Sequence, residues 1–155
     1  HGARGSVNDM ETYRRTRHNR DVNRSSVNFN EVAREAQTPG SKLNLFIEHL
    51  QPLGIVRVMQ RAFHPRGAQK ILDAPAQVFA TLRTSPEGDQ HVLALTNVSD
   101  SAVRLSFADK DLGLEKTGWR DLVNGKLFQA SNGKLGINLD PYDVLWLRPA
   151  DELDD

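Results

Sequence analysis

The chain has 155 residues, with 20 Lys and Arg against 20 Asp and Glu and no cysteine. That length suits one ordinary domain. The charge balance gives no general attraction to nucleic acid or to an anionic membrane, and the lack of cysteine excludes disulfides and thiolate metal sites. No apolar run approaches the ~18 residues of a spanning helix, and no secretory signal pattern opens the sequence, so a cytoplasmic location is expected. The first residue is His1, and we read the chain as a piece of something longer.

Residues 1–40 are polar, rich in Arg and Asn, and poor in large apolar side chains. Such a stretch rarely builds its own core. Asn8 or Asp9 can cap a short helix through Tyr13, and a second short helix is expected over 28–36. Pro39-Gly40 ends this section, and Ser41 is placed to cap the next helix. Leu43, Phe46, Ile47 and Leu50 repeat at the spacing of a one-sided helix. Pro52 and Gly54 interrupt it, and the apolar pattern resumes through Met59. The spacing predicts a kinked helix, or two helices joined near Gln51, closed by Ala62-Phe63-His64-Pro65.

From Gln69 the period changes to two. Short alternating runs are punctuated by turn chemistry at 85–89, Asn97-Val98-Ser99-Asp100, Asn124-Gly125 and Asp140-Pro141. Residues 108–118 read as a loop, 142–147 as a last strand, and 151–155 as a solvated acidic tail. Six or seven short strands at this spacing predict an antiparallel sandwich or barrel. Its interior is expected to hold Val78, Ala80, Leu82, Leu93, Leu95, Leu105, Leu122, Leu135, Ile137, Leu139, Leu145 and Leu147.

An arginine-rich irregular lead, one helical segment and then a small all-β unit is an unusual order for a free-standing protein. Asn8-Asp9-Met10-Glu11, followed by Asn19-Arg20-Asp21-Val22-Asn23-Arg24, resembles the loop after the eighth barrel strand of sucrose phosphorylases and related glucosyl phosphorylases in the α-amylase superfamily. Val22 stands where that motif usually has Ile. The stretch from Arg57 to Pro65 is similar to the family's helix-end motif, with Arg61 in place of the usual Pro. Asn97-Val98-Ser99, Trp119-Arg120-Asp121-Leu122 and Pro141-Tyr142-Asp143-Val144-Leu145-Trp146-Leu147 resemble its β-domain signatures. The resemblance covers nearly the whole chain; Pro52 and Gly54 inside the helix depart from it.

The resemblance implies a mainly β chain: the end of a (β/α)8 barrel (loop plus last helix) over 1–65, then a small antiparallel β-sandwich C-terminal domain over 66–150, then the tail. It also implies a parent enzyme that moves glucose between phosphate and an α-glucoside such as sucrose or glucosylglycerate, with no metal or organic cofactor. Retaining transfer needs a nucleophilic and an acid/base carboxyl group. In this family they sit on earlier barrel strands, so no catalytic residue is assigned here. Arg20 matches the arginine that helps hold the donor glucose, a task suited to a planar guanidinium fork. Arg24 is the second candidate, and Asn8 and Asp9 would order the loop or line the acceptor side.

Other readings compete. Six arginines in the first twenty-four residues could form a nucleic-acid arm, but Asp9, Glu11 and Asp21 interrupt it and no recognition motif accompanies it. His18, His49 and His64 lack metal-ligand spacing. Asn97-Val98-Ser99 matches a glycosylation triplet but reads better as a turn. Trp119, Tyr142 and Trp146 could stack on sugar, although large aromatics in short strands more often fill a core or pack on the neighbouring barrel, with the core favoured. The alternative function is an independent β-sandwich module that binds carbohydrate or a partner, with a disordered basic arm.

Overall fold

The structure is a computed structural model and describes residues 4–152. These residues form two compact units, one ending at Gly54 and the other starting at Ile55.

The first unit is helical. Asp9 caps α1 (Met10–Thr16) by accepting a hydrogen bond from the Thr12 N–H at 2.9 Å. A 3₁₀ turn follows at Asn19–Asn23. Asn28 caps α2 (Phe29–Gln37) through the Asn30 N–H. Ser41 caps α3 (Lys42–Met59), its Oγ accepting from the Asn44 N–H at 3.1 Å. Each cap satisfies a backbone donor that the helix itself leaves orphaned. Among the described residues of this unit, only Leu43 is buried. The expectation of a weak core is therefore met.

Helix α3 runs through Pro52 without a break. The two-helix option near Gln51 fails. Pro52 costs one i→i−4 bond, the one that would reach Glu48, but leucine, isoleucine and other good helix formers flank it. The predicted one-sidedness also fails. Leu45, Phe46, Leu50, Ile55, Val58 and Met59 are all exposed, and they lie around the whole helix. Helices that are apolar all round are normally covered by other protein.

The second unit is an antiparallel β domain of eight strands: β1 (Ala68–Ile71), β2 (Val78–Thr84), β3 (His91–Asn97), β4 (Val103–Ala108), β5 (Gly118–Asp121), β6 (Leu127–Ser131), β7 (Lys134–Leu139) and β8 (Val144–Pro149). Their order is β1-β2-β3-β8-β5-β6-β7-β4 in one curled sheet. A one-turn helix, α4 (Asp109–Leu112), interrupts the expected 108–118 loop.

Register explains the core. Ala80 faces Leu95 and Leu82 faces Leu93; Leu93 and Leu95 then face Leu147 and Leu145. On the far side Leu105 faces Ile137 and Phe107 faces Leu135. Period-two alternation puts all of these on the inner face. Every predicted interior residue is buried except Leu122, which is half-buried. Leu122 lies just past the end of β5, where its N–H bonds to the Trp146 carbonyl, so the pleat no longer directs it inward. Trp119 joins the core at 1% exposure. Each fully buried leucine here contributes roughly 1.5–3 kcal/mol before chain entropy is subtracted.

The core reading of the three aromatics holds only for Trp119. Trp146 lies one residue out of phase with Leu145 and Leu147 and takes the outer face, half-buried; Tyr142 is exposed in a turn at φ 61°. Asn97 is 1% exposed, and its amide donates to the Ser101 and Asp140 carbonyls. The turn reading of this triplet is the right one. The solvated tail needs correction at Glu152. This residue is buried, accepts from the His91 N–H at 2.8 Å, and lies 3.0 Å from His91 Nδ1. Among the described residues, no helix is long and apolar enough to cross a membrane.

Candidate functional site

The two motif elements of the first unit meet through the backbone. The Asp9 N–H donates to the Val22 carbonyl at 2.8 Å, which sets the start of α1 beside the 3₁₀ turn that carries Arg20. Thr16 reinforces the join. Its hydroxyl donates to the Thr12 carbonyl and contacts the Asp21 carboxylate. The Asp9 carboxyl is held below its ordinary value, chiefly by the backbone N–H of Thr12 and then by the Thr12 hydroxyl. It stays ionised and committed to capping.

Of the four predicted substrate-binding residues, the fold therefore brings Asp9 next to the turn bearing Arg20. Asn8 is exposed at the helix entry, with its carbonyl accepting from the Met10 N–H. Arg24 caps the end of the 3₁₀ turn and is exposed, as is Arg20. Among the described residues, neither guanidinium makes an ion pair. Both forks are open to a ligand, and guanidinium can donate to sugar hydroxyls or to an anion.

One feature of this loop escaped sequence reasoning. Arg17 ends α1 in the left-handed region, at φ 58°. Glycine or asparagine normally occupies such a position, so nothing in the residue type announced it.

The β domain carries a concavity on its outer face, with a volume of about 370 Å³. Phe63, Phe79 and Trp146 flank it, and Gln69, Thr96 and Arg83 supply polar groups. Phe63 packs on Trp146 with ring centroids 4.8 Å apart. Arg83 is already committed: it donates to the carbonyls of Ala62 and His64 and to the Gln69 side chain. Among the described residues, no group of three or more His, Asp or Glu side chains is arranged to hold a metal ion.

Residues 70–146 match the family described as maltogenic amylase, C-terminal domain. A glucosylglycerate phosphorylase of Spirochaeta thermophila is 34% identical over 157 aligned positions, covering 96% of this chain. The chain spans 26% of that relative's length. Among solved structures, AmyP in complex with maltotriose aligns with a TM-score of 0.63 at 19% identity, over 72% of this chain and 22% of that one. The α-amylase of Geobacillus thermoleovorans in complex with acarbose aligns with a TM-score of 0.59 at 15% identity, over 66% and 22%. At such identities these structures speak for the fold alone, and they agree with the eight-stranded antiparallel domain described above. Together the family match and the phosphorylase relative support reading the chain as the C-terminal part of an α-amylase-family enzyme.

Proposed function

We propose that this chain is part of a retaining α-glucosyl-transferring phosphorylase, to which it contributes a substrate-positioning loop, the last helix of a (β/α)8 barrel and a supporting β domain. One observation carries this reading. The likeness to a glucosylglycerate phosphorylase extends over 96% of the chain, so it takes in the arginine loop as well as the β domain. The exposed apolar girdle of α3 supports it, since a helix of that kind suits burial against a barrel.

In this reading residues 1–65 complete the barrel and residues 66–150 brace it. The carboxyl groups that attack the sugar and protonate the leaving group come from the rest of the enzyme. Arg20 holds the donor glucose, Arg24 supports it, and Asn8 and Asp9 shape the loop. The substrates are phosphate and an α-glucoside such as glucosylglycerate or sucrose. Profiling the full-length enzyme with glucose 1-phosphate against a panel of acceptors tests this. Acceptor-dependent phosphate release with formation of the matching glucoside supports the reading, and hydrolysis alone overturns it. In that enzyme Arg20→Ala lowers glucosyl transfer by roughly tenfold to a hundredfold, the scale of one lost charge-assisted hydrogen bond. Unchanged kinetics remove Arg20 from the site.

The outer-face groove favours a second reading, in which the β domain itself binds sugar. Phe79, on β2, is 56% exposed, an open aromatic surface beside polar groups. Calorimetric titration of this chain with maltotriose decides it. Binding lost in Phe79→Ala supports a sugar site; no binding, or binding indifferent to the substitution, removes it.

A further inference from the structure

The loop of the first unit carries more positive charge than one sugar-holding arginine requires. Between positions 14 and 24 stand Arg14, Arg15, Arg17, Arg20 and Arg24 against a single acid, Asp21. Asp21 is occupied by the Thr16 hydroxyl. Among the described residues, none of the five guanidinium groups makes an ion pair. In a chain of zero formal net charge this is a concentrated run of positive charge, with Asp9, which caps α1, and Glu11 of α1 the nearest acids before it in sequence.

A helix needs some of it. Arg14 and Arg15 lie in the last turn of α1, where cations complement the negative end of the helix dipole. That accounts for neither the identity nor the conformation of Arg17. Its φ of 58° is costly for a residue with a Cβ and free for glycine. The backbone task there, a bond from the Arg17 N–H to the Tyr13 carbonyl at 2.8 Å, needs no side chain. A strained position held by a long cationic residue is a mark of function. Arg17 follows the last helical residue, Thr16, and stands three residues before Arg20 in the same loop. Both arginine side chains are exposed.

We propose that Arg17, in the loop that carries Arg20, recognises a small oxyanion: the carboxylate of an acidic acceptor, or phosphate. The proposal rests on the glucosyl phosphorylase reading above for its choice of ligand. It differs from the role given to Arg20, which concerns the neutral sugar. Arginine suits the task because its fork donates two parallel hydrogen bonds to either oxyanion.

Arg17→Gly is the informative variant, because glycine relieves the backbone strain and keeps the fold. The full-length enzyme is assayed with glucose 1-phosphate and either glycerate or glycerol as acceptor. A tenfold or larger fall in the glycerate-to-glycerol ratio of kcat/KM assigns Arg17 to the acceptor carboxylate. A tenfold or larger rise in KM for glucose 1-phosphate with both acceptors assigns it to phosphate. Partial rescue by Arg17→Lys, which keeps the charge and loses the fork, is expected in either case. KM values within twofold of the parent enzyme's overturn the proposal and leave the phosphorylase reading standing. If the enzyme transfers no glucose from glucose 1-phosphate, that reading falls, and calorimetric titration with glycerate and with inorganic phosphate decides. Binding that Arg17→Gly weakens tenfold supports the oxyanion site; binding that is absent, or indifferent to the substitution, refutes it.

Discussion

Single residues show where this sequence was under constraint beyond burial. At Gly67 an added Cβ would come within 2.6 Å of the Thr84 carbonyl and 3.0 Å of the His64 carbonyl. Both are backbone atoms and cannot yield cheaply. Gly67→Ala is therefore expected to destabilise the β domain by about 1–3 kcal/mol, read as a fall in denaturant midpoint at unchanged slope. The reason Gly67 is so tight is the turn at Arg61–Phe63, which Arg83 and Gln90 pull onto the outer face. Gln90 accepts from the Ala62 N–H at 2.9 Å while Arg83 donates to two carbonyls. Arg83→Ala leaves the Ala62 carbonyl without this donor, while the His64 carbonyl keeps the Gly67 N–H, and is expected to cost about 1–3 kcal/mol; Arg83→Lys recovers only part, because an ammonium cannot span the fork's three acceptors.

At the level of elements, local chemistry settles ends and turns, and charge settles the last one. Asn132 and Gly133 join β6 to β7 at φ 52° and 69°, with Ser131 opposite Lys134. This is the two-residue primed turn whose twist matches a hairpin. Asn132→Ala is expected to cost about 1–2 kcal/mol, whereas Asn132→Gly is close to neutral; thermal melts of the two variants separate them. Asn124-Gly125, the hairpin signal most evident in the sequence, sits in the wider turn between β5 and β6, where the Gly125 N–H returns to the Asp121 carbonyl.

The closing turn after β8 depends on pH. The Asp151 carboxyl is held below its ordinary value of about 3.8 by a hydrogen bond from the Lys116 ammonium. Lys116 is raised above about 10.5 by the same partner. A lowered carboxyl contributes stability above its unfolded value and loses it as pH falls through the folded one. A raised ammonium contributes below its unfolded value and loses it as pH rises through the folded one. The pair thus holds across the neutral range and weakens below about pH 4 and above about pH 10.5. Lys116→Met should flatten both limbs of a plot of denaturant midpoint against pH. Asp151 is largely exposed, so the effect is small, and salt reduces it further.

Across the whole molecule, the contrast between the two units governs behaviour. The β domain buries a continuous apolar core, from Leu72 and Val78 to Leu145 and Leu147. The helical unit buries little but Leu43. Local opening follows such differences in burial. Limited digestion with trypsin is therefore expected to cut first among Arg14 to Arg24 and to leave the β domain intact; early cuts at Arg104 or Arg120 would contradict this. By itself the chain is also expected to show no glucosyl transfer, since the proposed catalytic carboxyls lie elsewhere in the parent enzyme. Turnover by the 155-residue chain would show that assignment to be wrong.

What the amino-acid sequence determined unaided was short-range. The cap Ser41, and the first cap down to the choice between Asn8 and Asp9, were legible because a capping side chain reaches only two or three residues along its own chain. The inner face of the sheet was legible because alternation is written into each strand. The resemblance put the two motif elements in one loop, and the structure added the bond that joins them, from the Asp9 N–H to the Val22 carbonyl. Tertiary structure alone decided the rest. It placed β8 between β3 and β5, far from its neighbours in sequence, and drew Glu152 out of an acidic tail onto His91. It also bent Arg17 into a conformation that its residue type disfavours. Each of these depends on contacts between segments tens of residues apart, or on backbone torsion, and neither leaves a periodic trace in composition.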